Sequence, residues 1–135
     1  MNCSPLRKLI ITPELIASIH AKVLGELNDA VSFKIRLGRL IFACEKAEND
    51  IKENKILDVF EIAFRYAGEI LKQSPFSKGN KRTALAFILL YLKLNEIYIE
   101  NDPIIADILR DLANGNLSEK KCAVLFFHIS SVYDN

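Results

Sequence analysis

Apolar residues recur at intervals of three and four along most of the chain. Leu15, Ile16, Ile19, Val23, Leu24 and Leu27 mark one face of a helix opening at Thr12-Pro13, a capping residue followed by proline at the first helical position. Ile35, Leu40, Ile41 and Cys44 predict a second helix over about Phe33 to Lys46. The segment Glu45 to Lys55 is charged and poor in apolar positions, so it reads as a loop or a frayed helix end. Leu57, Phe60, Phe64, Ala67 and Leu71 predict a third helix from about Lys55 to Gln73. Ser74-Pro75 ends it, because proline disfavours helical geometry in the residue before it. A fourth helix runs from near Gly79 to near Asn95. Its run ALAFILLYL is apolar all round, which predicts the central, buried helix. Asp102-Pro103 starts a fifth and Gly115 ends it. Ser118 caps a sixth, which carries Val124, Leu125, Phe127 and Ile129. Ile97 to Glu100 reads as a short extended piece, and nothing else reads as strand. The pattern predicts an all-α fold, about six helices around helix four.

No repeat, low-complexity segment or linker interrupts this pattern, so the 135 residues read as one domain, 1–135, with one core. Half of them are hydrophobic, which excludes a disordered tail. Eighteen Lys and Arg against 17 acids give a net charge of +1, unlike the clearly basic balance of a general nucleic-acid binder. The cations cluster in one loop, not along a recognition helix, so no direct nucleic-acid contact is expected. Cys3, Cys44 and Cys122 are odd in number, widely spaced and without a CxxC pair. This fits a reducing compartment and argues against a disulfide frame or a thiolate zinc site. Cys122 lies on an apolar face and is expected to be buried and inert. MNCSPLRKLI lacks an apolar run long enough for a secretory signal. The longest apolar run, nine residues from Ala84 to Leu92, falls short of the roughly 20 that span a bilayer. A soluble cytoplasmic protein with no membrane partner is expected.

The candidate chemistry lies in Lys78-Gly79-Asn80-Lys81-Arg82, at the start of the fourth helix. The first amides of a helix have no partner within it, and the helix dipole adds partial positive charge there. Glycine allows close approach to the backbone, Asn80 offers an amide, and Arg82 offers a bidentate fork suited to phosphate. From Lys72 to Arg82 there are four cations and no acid. Together these make an anion site. A Gly-Asn turn also opens helices for purely structural reasons, and basic residues often just face solvent. Against that, a cation in the first turn opposes the dipole, so three of them there imply an expected anion.

Ser74 to Ala84, S-P-F-S-K-G-N-K-R-T-A, resembles the motif H-P-F-x-D-G-N-K-R-T-A of the Fic/Doc (Fido) family, most closely its death-on-curing toxin branch. Thr12-Pro13-Glu14-Leu15 with Ile19-His20 is similar to the opening helix of that branch. Phe60, Ala63 and Ala67 before the motif, and Leu112 to Ser118 after it, are similar too. The resemblance implies a mostly helical fold with the motif loop opening a central helix. It implies a nucleotide, ATP or another, part of which is transferred to a protein hydroxyl: adenylate in most Fic proteins, phosphate onto the translation machinery in the toxin branch. It also implies an antitoxin partner whose tail folds as a helix into a groove beside the site. Phe76 would anchor the loop to the core.

Two positions depart from the motif. Ser74 stands where the family has its histidine, the general base, and a serine hydroxyl is not basic near neutral pH. Loss of a base typically costs about 10²–10⁴ in rate. Lys78 stands where the family has the acid that holds magnesium. It offers no oxygen, repels the metal, and could contact phosphate itself. Magnesium is therefore disfavoured as a cofactor. Neither His20 nor His128 reads as a substitute base: His20 suits helix packing or a hydrogen bond, and His128 a structural or surface place. Ser74 and Ser77 lack a paired His and Asp, so a serine nucleophile is a poor reading. Two readings stay open. One is a toxin-related transferase of weak or altered activity, with Ser74 natural or introduced. The other is a pseudoenzyme that binds a nucleotide or a protein through Gly79, Asn80, Lys81 and Arg82.

Overall fold

A computed structural model describes residues 10–26 and 34–132. Leu27 and Phe33 of the sequence expectations, and Cys3, lie outside the described residues. The elements are α1 (Pro13–Glu26), α2 (Leu37–Glu53), α3 (Val59–Gln73), α4 (Asn80–Leu94), β1 (Ile97–Ile99), α5 (Ile104–Ala113), α6 (Glu119–His128) and β2 (Ser130–Val132). The expected all-α architecture of six helices is the one found among the described residues. Among the described residues, no helix is long and apolar enough to cross a membrane.

Side-chain caps set several boundaries. The Thr12 hydroxyl accepts the amide of Leu15 at 3.2 Å, and Ser118 accepts that of Lys121 at 3.2 Å. Asp58 accepts the amide of Glu61 at 3.1 Å, so α3 begins at Val59 and residues 55–57 connect it to α2. Leu57, expected on its apolar face, is therefore exposed.

The segment Glu45 to Lys55 is not a loop. It is the second half of α2, which continues to Glu53. Its buried stripe is built of small residues, Ala43 and Ala47 with half-buried Ile51 above them, and so carries little hydrophobic signal. Ion pairs one turn apart, Lys46–Asp50 and Lys52–Glu48 at 2.9 Å each, line its wet side.

The most enclosed helix is α3, not α4. It packs against α2, α4, α5 and α6 and buries nine residues from Val59 to Ile70. α4 lies between α1, α3 and β1, and leaves Leu89, Leu90 and Leu94 exposed on its outer side. On α6 the buried face is Cys122, Ala123 and Phe126, whereas Val124 and Phe127 are exposed. Phe126 meets Phe64 of α3 edge to face, with ring centroids 4.7 Å apart. The extended piece at Ile97 pairs antiparallel with β2, Ile97 opposite Val132 and Ile99 opposite Ser130. That second strand was not legible in Ser130-Ser131, because serine carries little strand preference.

Candidate functional site

α3 stops at Gln73 because Ser74 takes a left-handed conformation (φ 44°, ψ 59°), its amide still donating to Ile70 O at 3.0 Å. The Ser74 hydroxyl donates to Leu71 O at 3.4 Å. Pro75 to Ser77 then runs beside Lys34 to Arg36, the strand-like lead into α2. The Arg36 amide donates to Pro75 O at 2.7 Å, and the Ser77 amide to Lys34 O at 2.9 Å. The Ser77 hydroxyl accepts the Lys34 amide at 2.9 Å, so this serine stitches the two segments together. Arg36 Nη1 donates to Ser74 O at 3.1 Å, a contact that sequence reasoning missed.

Between them, Phe76 turns inward and is 1% exposed. It stacks on His20 of α1, with centroids 3.8 Å apart and planes 5° apart. Asn80 clamps the same residue from the other side: Oδ1 accepts the Phe76 amide at 3.1 Å, and Nδ2 donates to the Phe76 carbonyl at 2.8 Å. The Asn80 side chain thus shapes the loop, where the sequence expectation had it offered to a ligand. Its main-chain amide keeps the expected place in the first turn of α4.

Gly79 precedes that turn at φ 86°, a conformation that suits glycine. A Cβ there would lie 3.3 Å from both His20 Nε2 and Leu24 Cδ2, a tight approach that these side chains of α1 would have to yield to. The Thr83 amide, donating to Gly79 O at 2.9 Å, opens the internal bonding of α4. The amides of Asn80, Lys81 and Arg82 precede it and have no carbonyl within the helix to reach.

Gly79, Asn80, Lys81 and Arg82 line one cleft with Ser74, Leu71 of α3 and Ala113 at the end of α5. Its volume is about 360 Å³. Lys81 and Arg82 are exposed on its rim, and no acid stands in the first turn of α4. Lys78, which the sequence expectation set against the phosphate, does not line the cleft, and neither does Lys72. The Lys72 ammonium lies 3.8 Å from Glu69 and 3.6 Å from Glu119, on the α3–α6 side. Leu71 and Ala113 were not singled out from sequence, since a wall formed by chain neighbours remote in sequence carries no local pattern.

The two histidines lie elsewhere. His20 is fully buried, with Nε2 2.8 Å from Lys78 O, and burial lowers its pKa below the usual histidine value while the Lys78 carbonyl opposes that shift. His128 ends α6 and lines a different cleft with Glu100, Asp102 and Ser130. Cys122 is fully buried and its thiol is pushed up to about 12, first by burial and then by Glu119 and Asp111.

Comparison with known proteins agrees with this architecture. The sequence matches the Fic/DOC family over residues 10–92, more than half of the chain. It is also 29% identical over 113 residues to the protein kinase Doc of Escherichia phage P1, an alignment covering 84% of this chain and 89% of that protein. The match begins at the start of α1 and, in the family comparison, ends within α4, so it contains the loop, the clamp and the first turn just described. The chain therefore belongs to the Fic/DOC family, in its Doc branch.

Proposed function

We propose that the cleft at the start of α4 binds the phosphate of a nucleotide, ATP or another, and that the protein is a toxin-type Doc relative with weak or absent transferase activity. The observation carrying this is the convergence of Ser74, Gly79, Asn80, Lys81 and Arg82 on one cleft. Its volume falls within the span of small-molecule sites, about 300–1,000 Å³. Unpartnered first-turn amides, the helix dipole, an ammonium and a guanidinium all favour a negative ligand.

The chemistry beyond binding is where this site departs from its family. A kinase-type transfer needs a base at the target hydroxyl and charge neutralisation on the phosphates. Ser74 occupies the base position, and its hydroxyl is turned to the Leu71 carbonyl. His20 lies under the loop with Nε2 engaged by Lys78 O. The described lining of the cleft contains amides, a hydroxyl and cations but no carboxylate. That donor set suits an anion and does not suit magnesium, which takes oxygen ligands.

A partner is part of the same reading. Two mostly apolar depressions that share Leu90 lie beside α1 and α4, one lined by Ile19, Lys22, Val23, Ala86 and Leu90, the other by Leu15, Phe87, Leu90 and Leu94 among others. Such a surface suits the apolar face of an amphipathic helix, as an antitoxin tail would supply. This observation also favours the second reading, a pseudoenzyme that works by binding alone. Calorimetric titration with ATP, in EDTA and in magnesium, tests the core of the proposal. Saturable binding without the metal is expected; magnesium-dependent turnover onto a protein target would overturn it.

A further inference from the structure

Three features of the loop meet at His20, on a helix that contributes no side chain to the cleft wall. A carbonyl oxygen only accepts, so the 2.8 Å contact between Nε2 and Lys78 O places a proton on Nε2. The same ring carries Phe76, and the same nitrogen lies 3.3 Å from where a Gly79 Cβ would be. A trans peptide sets its C=O and N–H on opposite sides. With the Lys78 carbonyl turned to α1, the Gly79 N–H is turned away from α1, on the side where Gly79 lines the cleft. Left-handed Gly79 followed by helical Asn80 is the alternation that makes successive amides converge on one anion.

We propose that His20 is the positioning residue of this cradle: its bond to the Lys78 carbonyl fixes the Lys78–Gly79 peptide so that the Gly79 amide joins those of Asn80, Lys81 and Arg82 on a terminal phosphate. This rests on the phosphate reading of the cleft. His20 touches no ligand and acts only through the peptide it holds. A purely packing role would be met by any ring of similar size, which separates the two.

The test uses the full chain, His20→Phe and His20→Gln. The phenylalanine keeps a ring on Phe76 and removes the donor; the glutamine restores an N–H donor without the ring. Pyrophosphate is titrated into each while the amide signals of Gly79 to Arg82 are followed by NMR. The His20 tautomer of the parent is read from its ring nitrogens. Expected are a shift of the Gly79 amide on binding, at least about tenfold weaker affinity for His20→Phe, and affinity within about threefold of the parent for His20→Gln. Equal affinity of parent and His20→Phe overturns the role. So does a parent ring protonated at Nδ1 alone, which decides the matter even if both variants fail to fold. Binding by the parent with an unmoved Gly79 amide removes this role and leaves the phosphate reading standing. No binding by the parent removes both.

Discussion

At the scale of single residues, the loop is held by a few polar groups whose partners can be counted. Asn80 satisfies both main-chain groups of Phe76, a part-buried residue pair with no slack. Asn80→Ala leaves both without a protein partner and is expected to cost about 1–3 kcal/mol, measured by urea denaturation. Asn80→Asp keeps the acceptor but sets a carboxylate against the Phe76 carbonyl, so it should destabilise as well. Gly79→Ala combines a left-handed φ of 86° with a Cβ 3.3 Å from His20, and a loss of about 1–2 kcal/mol is expected. His20 gives a pH signature. Its folded pKa lies below the ordinary 6.5, through burial, so the unfolded chain takes up the proton first. Stability from this residue is complete above about pH 6.5 and falls as the pH drops toward the folded pKa. The midpoint of thermal unfolding should show that acid limb in the parent and lose it in His20→Gln.

At the scale of elements, what could be read from sequence follows from where the physical signal is local. Caps at Thr12 and Ser118, the proline after Ser74 and the glycine at position 115 act within a few residues, and they placed α1, the end of α3, α5 and α6 closely. The expected helix ends at Lys46, short of the end of α2 at Glu53, because Ala47 fills a tight interface without registering as hydrophobic, and it starts ahead of Leu37 because residues 34–36 pair with the loop after α3 instead. Periodicity names the apolar residues of α6 and leaves its buried face open. Val124 and Phe127 are on the outer side, while Cys122, Ala123 and Phe126 are buried against α3. The pairing of faces belongs to the tertiary structure, and periodicity in one helix cannot supply it. Two substitutions check that face. Phe126→Ala should cost about 3–5 kcal/mol as a buried aromatic truncation, and Val124→Ala well under about 1 kcal/mol. The turn after α4 holds a non-glycine residue in the left-handed region, Glu96 at φ 62°. Glu96→Gly is expected to raise stability by about 0.5–1 kcal/mol, seen as a higher denaturation midpoint.

At the scale of the whole molecule, the site was legible as a list and not as an arrangement. Gly79 to Arg82 were named from sequence because a glycine-led helix start is a local device. Their opposing wall, Leu71 and Ala113, comes from α3 and α5 and becomes adjacent only on folding. The same limit explains Lys72, counted as a cradle cation by position along the chain but held instead by Glu69 and Glu119. Family membership sets a history against which the departures at Ser74 and Lys78 can be tested in cells. If the scaffold is otherwise competent, the double variant Ser74→His with Lys78→Asp should arrest growth on expression where the parent does not. Arrest by the parent would mean that the present residues suffice for activity.

The central claim is that main-chain amides and cations at the start of α4 hold a phosphate without help from a metal. The most direct measurement is calorimetric titration of ATP in EDTA into the parent and into Arg82→Gln. Saturable binding by the parent, weakened about 10–100-fold in Arg82→Gln, is the predicted result, because a charge-assisted contact contributes about 1.5–3 kcal/mol. Absence of binding, or equal binding by both proteins, would contradict it.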